Sequence, residues 1–131
     1  MSRVILQPPG WPRPKGYANG IAVGPGQMVF TGGVVGWDLE KNFPDGIVAQ
    51  AAQTFANIAA ILDEAGARPE HLVRLTWYVT SRVDYLANGP AIGAAYRAVF
   101  DKVFPAMAVI EVTSLMEAAA CIEIEATAVI E

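Results

Sequence analysis

The sequence predicts an α+β sandwich in which two helices cover one face of a β-sheet. Three observations carry this. Segments of period two and period 3.6 succeed one another as strands, helix, strand, helix, strands. The 131 residues are 53% hydrophobic and only 17% charged, which is ample apolar surface for a core. Finally, CIEIEATAVIE near the C-terminus alternates cleanly, whereas the preceding FPAMAVIEV is apolar on both strand faces.

Taken in order, QPPGWPRPKGYANG is rich in Pro and Gly and reads as an irregular arm with strand structure only at its edges. GIAV and QMVFTGGVVG then read as two strands joined by the Gly24-Pro25-Gly26 turn. Gly32 and Gly33 inside the second mark a bulge, or a close approach by ligand or backbone. Asp45 is placed to cap a helix in which Val48, Ala51, Ala52, Phe55, Ile58, Ala59 and Leu62 recur at helical spacing, and Gly66 stops it. After the Arg68-Pro69 turn, LVRLTWYVT alternates as a strand. Val73, Leu75, Trp77 and Val79 share one face; Arg74, Thr76, Tyr78 and Thr80 share the other. A loop, Ala87-Asn88-Gly89, leads to Pro90 in the first turn of a second helix carrying Ile92, Ala95, Tyr96, Val99 and Val103. Strands over residues 106–112 and 121–130 finish the chain.

In the last strand Ile122, Ile124, Ala126, Ala128 and Ile130 are expected to face the helices, and Cys121, Glu123, Glu125, Thr127 and Val129 to face away. Over residues 106–112, Met107, Val109 and Glu111 oppose Ala108, Ile110 and Val112, and both sets are largely apolar. A strand apolar on both faces needs cover on both. The two helices cover one, so further copies of the chain are expected to cover the other.

No stretch approaches the roughly 20 apolar residues of a membrane span, and MSRVILQPPG lacks a signal peptide's apolar core. A single cysteine, Cys121, leaves no internal disulfide framework. A single cytoplasmic domain over residues 1–131 is therefore expected. The net charge of −4, with its nine basic residues scattered, provides no basic face for nucleic acid. One histidine and one cysteine cannot build a His/Cys metal cluster, and no nucleophile motif accompanies them. His71 reads as a solvated or capping residue in a turn, and Cys121 as a small packing residue. GPG and TGG lack the spacing and the lysine of a phosphate loop. What remains is the pair Glu123 and Glu125. On a free strand they would simply be solvated. On a face needed for assembly, a carboxylate requires a partner or a shifted pKa, which makes it a functional candidate.

KGYANGIAVGPGQMVFTGGV, the helix QAAQTFANIAAILDEAGA, the strand LTWYVT, the FPA turn and the closing IEIEATAV together resemble the Rid family, also called YjgF or L-PSP proteins. The resemblance covers nearly the whole chain. It implies a chorismate-mutase-like fold with a mixed sheet, and a homotrimer with inward-facing sheets and small-molecule clefts between subunits. It also implies hydrolysis of reactive imines and enamines to 2-keto acids and ammonia without metal or organic cofactor. On this resemblance Tyr17 lines the cleft, Thr31 and Gly32 contact the ligand, and Glu123 positions the attacking water, a task suited to a proton-accepting carboxylate.

Two departures from the family pattern matter. Its active deaminases carry an arginine after Phe-Pro-Ala, whose planar fork holds the substrate carboxylate. Here Met107 occupies that position, and Gly93 stands where the deaminases have asparagine. Losing such a contact removes on the order of 2–5 kcal/mol of binding, so weak turnover of 2-imino acids is expected. Besides a purely structural trimer with a vestigial cleft, two readings follow. One is a hydrolase of a less anionic imine or enamine, with Met107 and Tyr17 as an apolar wall; the other is a non-catalytic metabolite-binding or regulatory trimer. Arg13, Arg74 and Arg97 are the candidates for replacing the missing charge.

Overall fold

The computed structural model describes residues 3–131. In chain order the strands are β1 (Val4–Ile5), β2 (Ile21–Ala22), β3 (Gln27–Phe30), β4 (Val34–Val35), β5 (Leu72–Val79), β6 (Ala106–Glu111) and β7 (Ile122–Ile130). The helices are α1 (Ile47–Glu64), α2 (Arg82–Ala87) and α3 (Gly89–Phe100). The cleanly alternating β7 is central. It pairs antiparallel with β5 on one side and with β3 and β4 on the other, while β6 joins β5 in parallel as an edge. The result is the expected mixed sheet with helices on one face.

Period two decides what is buried. Ile122, Ile124, Ala126 and Ala128 of β7 lie under the helices with Leu75, Trp77 and Val79 of β5. Onto them α1 lays Ile47, Ala51, Phe55, Ile58 and Leu62, and α3 lays Ile92, Tyr96 and Phe100. Phe55 meets Trp77, Tyr96 and Phe100 edge-on, with centroids 5.4, 5.4 and 5.6 Å away. Burying each such side chain contributes roughly 1.5–3 kcal/mol.

Several local expectations are corrected. Asp45 does not cap α1; Gly46 does, at φ 86°, a conformation that favours glycine, and no side chain bonds to the first turn. The loop at 87–89 is only a junction between two helices: Ser81 caps α2 by accepting from the Asp84 amide at 3.1 Å, and α3 starts at Gly89. Asp101 turns to φ 57° after Phe100, so Val103 lies beyond the helix. In β5 the pairing register shifts between Leu72 and Arg74, which places Leu72 rather than Val73 among the core residues. β2 is not part of the main sheet; it turns back on β1, supported by the Leu6 amide donating to Gly20 O at 2.9 Å.

That ribbon changes how the second sheet face is covered. Leu6, Ile21 and Val23 of the arm gather with Met28, Val73 and Val129 around one cavity, so the chain itself shields part of the face. Phe30 and Ile110 stay 65% and 44% exposed. The bulge expected at Gly32-Gly33 is present, since Phe30 faces Thr127 but Val34 faces Ile124, a slip of one residue on the β3–β4 side.

Two polar side chains, one buried and one half-buried, tie the loops to α1. Gln50 Nε2 donates to Pro44 O at 3.1 Å and Ala119 O at 2.9 Å; its Oε1 accepts from the Cys121 amide at 2.8 Å and the Cys121 thiol at 3.2 Å. Burial raises the thiol pKa, as befits a packing residue rather than a nucleophile. Asn57 Nδ2 donates to Val35 O and Trp37 O, both at 2.9 Å. His71 is the capping residue expected: its Nδ1 accepts from the Arg68 amide at 2.9 Å. Replacing Gln50 with Leu is expected to orphan several of these main-chain groups and lower stability by about 2 kcal/mol. Urea unfolding should show a lower midpoint at unchanged slope.

Candidate functional site

The pleat of β7 puts Glu123 and Glu125 on the sheet face away from the helices. Their neighbours make them different. Glu125 Oε1 accepts from the Tyr78 hydroxyl at 2.5 Å. That bond, with the surrounding desolvation and the charges of Glu125 and Glu123, raises the Tyr78 pKa. Glu123 has no hydrogen-bond or ion-pair partner among the described residues. Its carboxylate lies where a Cβ on Gly33 would stand, so the lack of a side chain there is what admits it.

The bulge beneath this carboxylate is stitched by Thr31. Its amide donates to Ala126 O at 2.9 Å, its Oγ1 accepts from the Ala126 amide at 2.9 Å, and its hydroxyl donates to Gly32 O at 2.8 Å. The hydroxyl is therefore engaged with main chain on both sides. Around Gly32 the space that a Cβ would occupy is open. The Glu123 carboxylate thus lies over Gly33, beside exposed Gly32, on a bulge that Thr31 fixes.

Met107 belongs to a different surface. It registers with Leu75, which is on the helix face, and packs against the core there. A cavity of about 280 Å³ opens beside it, walled by Trp77, Tyr85, Tyr96, Phe104 and Met107, with Lys15 and Arg97 as its charged lining residues. The Tyr96 hydroxyl donates to Val103 O at 2.5 Å, and burial raises the pKa of Tyr96 and Tyr85. Tyr17 is exposed next to Gly16 of this cavity. The following residue, Ala18, anchors it by donating to Pro105 O at 3.0 Å and bridging to Ala106.

Within one chain, then, the candidate residues fall into two groups on opposite faces of the sheet. Glu123 with the Gly32-Gly33 bulge that Thr31 fixes makes one, and Met107 the other; Tyr17 directly follows Gly16, which lines the Met107 cavity. Composition and periodicity gave no role to Lys15 or Tyr85. For Arg97 the available signal is its position one helical turn after Gly93. Among the described residues no group of three or more His, Cys, Asp or Glu could hold a metal ion. No helix is long and apolar enough to cross a membrane.

A mixed sheet, helices on one face and a bulged strand across the carboxylate strand define an α+β sandwich of the Rid type. The chain belongs to the family described as Endoribonuclease L-PSP, whose model matches residues 12–130. It superposes with a TM-score of 0.84 on the crystal structure of YyfB from Yersinia pestis, a Rid-family protein of unknown function, with 32% identity over 99% of this chain and 100% of that one. It is 29% identical to a 2-iminobutanoate/2-iminopropanoate deaminase of Dermatophagoides farinae over 97% of this chain and 96% of that protein. A deaminase of the same name from Salmonella typhimurium is 32% identical over 86% of each.

The Tyr78–Glu125 bond has a titration signature. The phenolate form loses the hydrogen bond and faces two carboxylates, so Glu125→Gln is expected to lower the Tyr78 pKa toward its ordinary value near 10. Tyrosine NMR signals followed against pH, with Tyr78→Phe for assignment, check the direction.

Proposed function

We propose that this protein hydrolyses an imine or enamine, as a deaminase, in clefts between the subunits of a cytoplasmic homotrimer. The observation that carries this reading is the unpartnered Glu123 carboxylate at the open surface over Gly32 and Gly33. A water held by that carboxylate attacks the carbon of a C=N bond and passes a proton to it as the new C–O bond forms. The Glu123 carboxyl group then returns that proton to the nitrogen, giving a carbinolamine and restoring the carboxylate; as the C–N bond breaks the nitrogen takes the hydroxyl proton and leaves as ammonia, and a carbonyl product remains. Deaminases among the relatives support the reaction class.

The assembly reading rests on two facts. Phe30 and Ile110 remain exposed on a sheet face that the arm covers only in part. Moreover, Glu123 and Met107 lie on opposite faces of their own sheet, so a cleft containing both needs two chains. In that cleft Thr31, through the bulge it fixes, presents the Gly32 main chain to substrate, while Tyr17 and Met107 form the facing wall. No organic cofactor enters this scheme. Met107 offers no fork for a carboxylate beside the reacting carbon, so small 2-imino acids are held weakly. The same methionine favours a second reading, a non-catalytic metabolite-binding or regulatory trimer.

Turnover separates the readings. Glu123→Gln keeps the shape but loses the proton acceptor, and should slow keto-product formation from a panel of freshly generated imines by about 100-fold or more. Equal rates in both proteins defeat the hydrolase for those substrates. Light scattering is expected to give three times the 13.9 kDa chain mass at micromolar concentration; a single-chain mass there overturns the inter-subunit cleft.

A further inference from the structure

Met107 makes the β6 wall of its cavity apolar, yet the cavity is not without charge. Arg97 follows Gly93 by four residues on α3, so both lie on one helix face. Its Nη1 stands 3.2 Å from the place of a Cβ on Gly93, and both residues line the cavity. The guanidinium therefore runs over bare backbone, along a path that a larger residue at 93 would crowd. Lys15 reaches the same cavity from the N-terminal arm.

Nothing in the cavity neutralises these cations. Its lining contains no Asp or Glu. Neither Lys15 nor Arg97 has a side-chain hydrogen bond or ion pair among the described residues, where the ion pair formed is Arg68–Glu70. The indole N–H of Trp77, which is 3% exposed and forms part of the wall, also lacks an acceptor among the described residues. Unpaired donors beside apolar walls select a ligand that brings negative charge and an apolar body together. Size agrees: a cavity of about 150 Å³ accepts benzene, so about 280 Å³ holds a ring and a carboxylate. Lys15 and Arg97 are exposed while Met107 is half-buried, which orders the ligand with its charge outward and its body inward.

We propose that this cavity binds an amphipathic organic anion. Arg97 and Lys15 hold its carboxylate, Gly93 keeps the guanidinium's path open, and Met107, Phe104 and Tyr85 contact its apolar body. The charge-reading function is thus moved from β6 to α3 and the arm, and the preferred acid carries an apolar body of aromatic size. This deepens the cleft reading above, since the same cavity would receive the substrate. The binding claim stands independently of Glu123.

Calorimetric titration of the full chain with phenylpyruvate and with its uncharged methyl ester tests it. The acid is expected to bind at least about tenfold more tightly than the ester, as a charge-assisted contact implies. Arg97→Ala should abolish that preference by weakening the acid about tenfold or more with a much smaller effect on the ester, and Gly93→Leu, which crowds the guanidinium, should reduce the preference as well. Lys15→Ala should weaken the acid to a smaller extent. Undetectable binding of the acid, equal affinity for acid and ester, or a preference that survives Arg97→Ala overturns the proposal. The imine assay with Glu123→Gln is read separately. Slowed turnover without any Arg97 dependence of binding refutes the anion site and leaves the hydrolase; an Arg97-dependent preference with undiminished turnover does the reverse.

Discussion

The packing of Tyr96 is the contact on which both the core and the cavity depend. Its ring meets Phe55, Phe100 and Phe104 at 5.4, 5.0 and 5.6 Å and stacks on Trp77 at 6.2 Å. Its hydroxyl closes onto Val103 O, so the one polar atom of a buried ring is satisfied. Through this ring α3 is seated at once on α1, on β5 and on the chain entering β6. The same ring is a wall of the cavity beside Met107. Interiors packed at crystal-like density transmit small displacements, so the inner wall of the cavity is set by the core.

The other face shows how little separates a structural carboxylate from an available one. Glu123 and Glu125 share a strand, a face and a chemistry. Tyr78 lies directly across from Glu123, yet its hydroxyl reaches diagonally to Glu125, a distance long aromatic side chains span between strands. Glu123 is left over the bare backbone of Gly33. A glycine and a diagonal hydrogen bond differentiate the pair.

Much of this was legible in the sequence where one local period dominates. The alternation of β7 predicts its buried residues, helical spacing predicts Phe55, Ile58 and Leu62, and paired glycines announce the bulge. The motifs carried the family. What was not legible depends on distant partners. Asp45 looks like a cap, but the chain enters α1 through Gly46 in a left-handed conformation. Val73 fits the alternation, but pairing with β7 shifts beside it. The arm's Pro and Gly content conceals a ribbon that closes onto the sheet. The division of the site is also a matter of register: Met107 follows the side of Leu75 and Glu123 that of Tyr78. The direction of the Arg97 side chain is a rotamer choice made possible by Gly93, and no periodicity encodes it.

The position of β7 also bears on how the molecule is made. It is the latest strand in chain order and the one that β3, β4 and β5 share. While a ribosome is still producing the preceding residues, the only main-sheet pair available is β5 with β6, a parallel one that must close across α2 and α3. Such non-local pairing is slow. The apolar faces of α1 and α3 therefore emerge before the whole of the surface that buries them, and exposed apolar surface of this kind is prone to aggregation until β7 arrives and the sheet assembles around it.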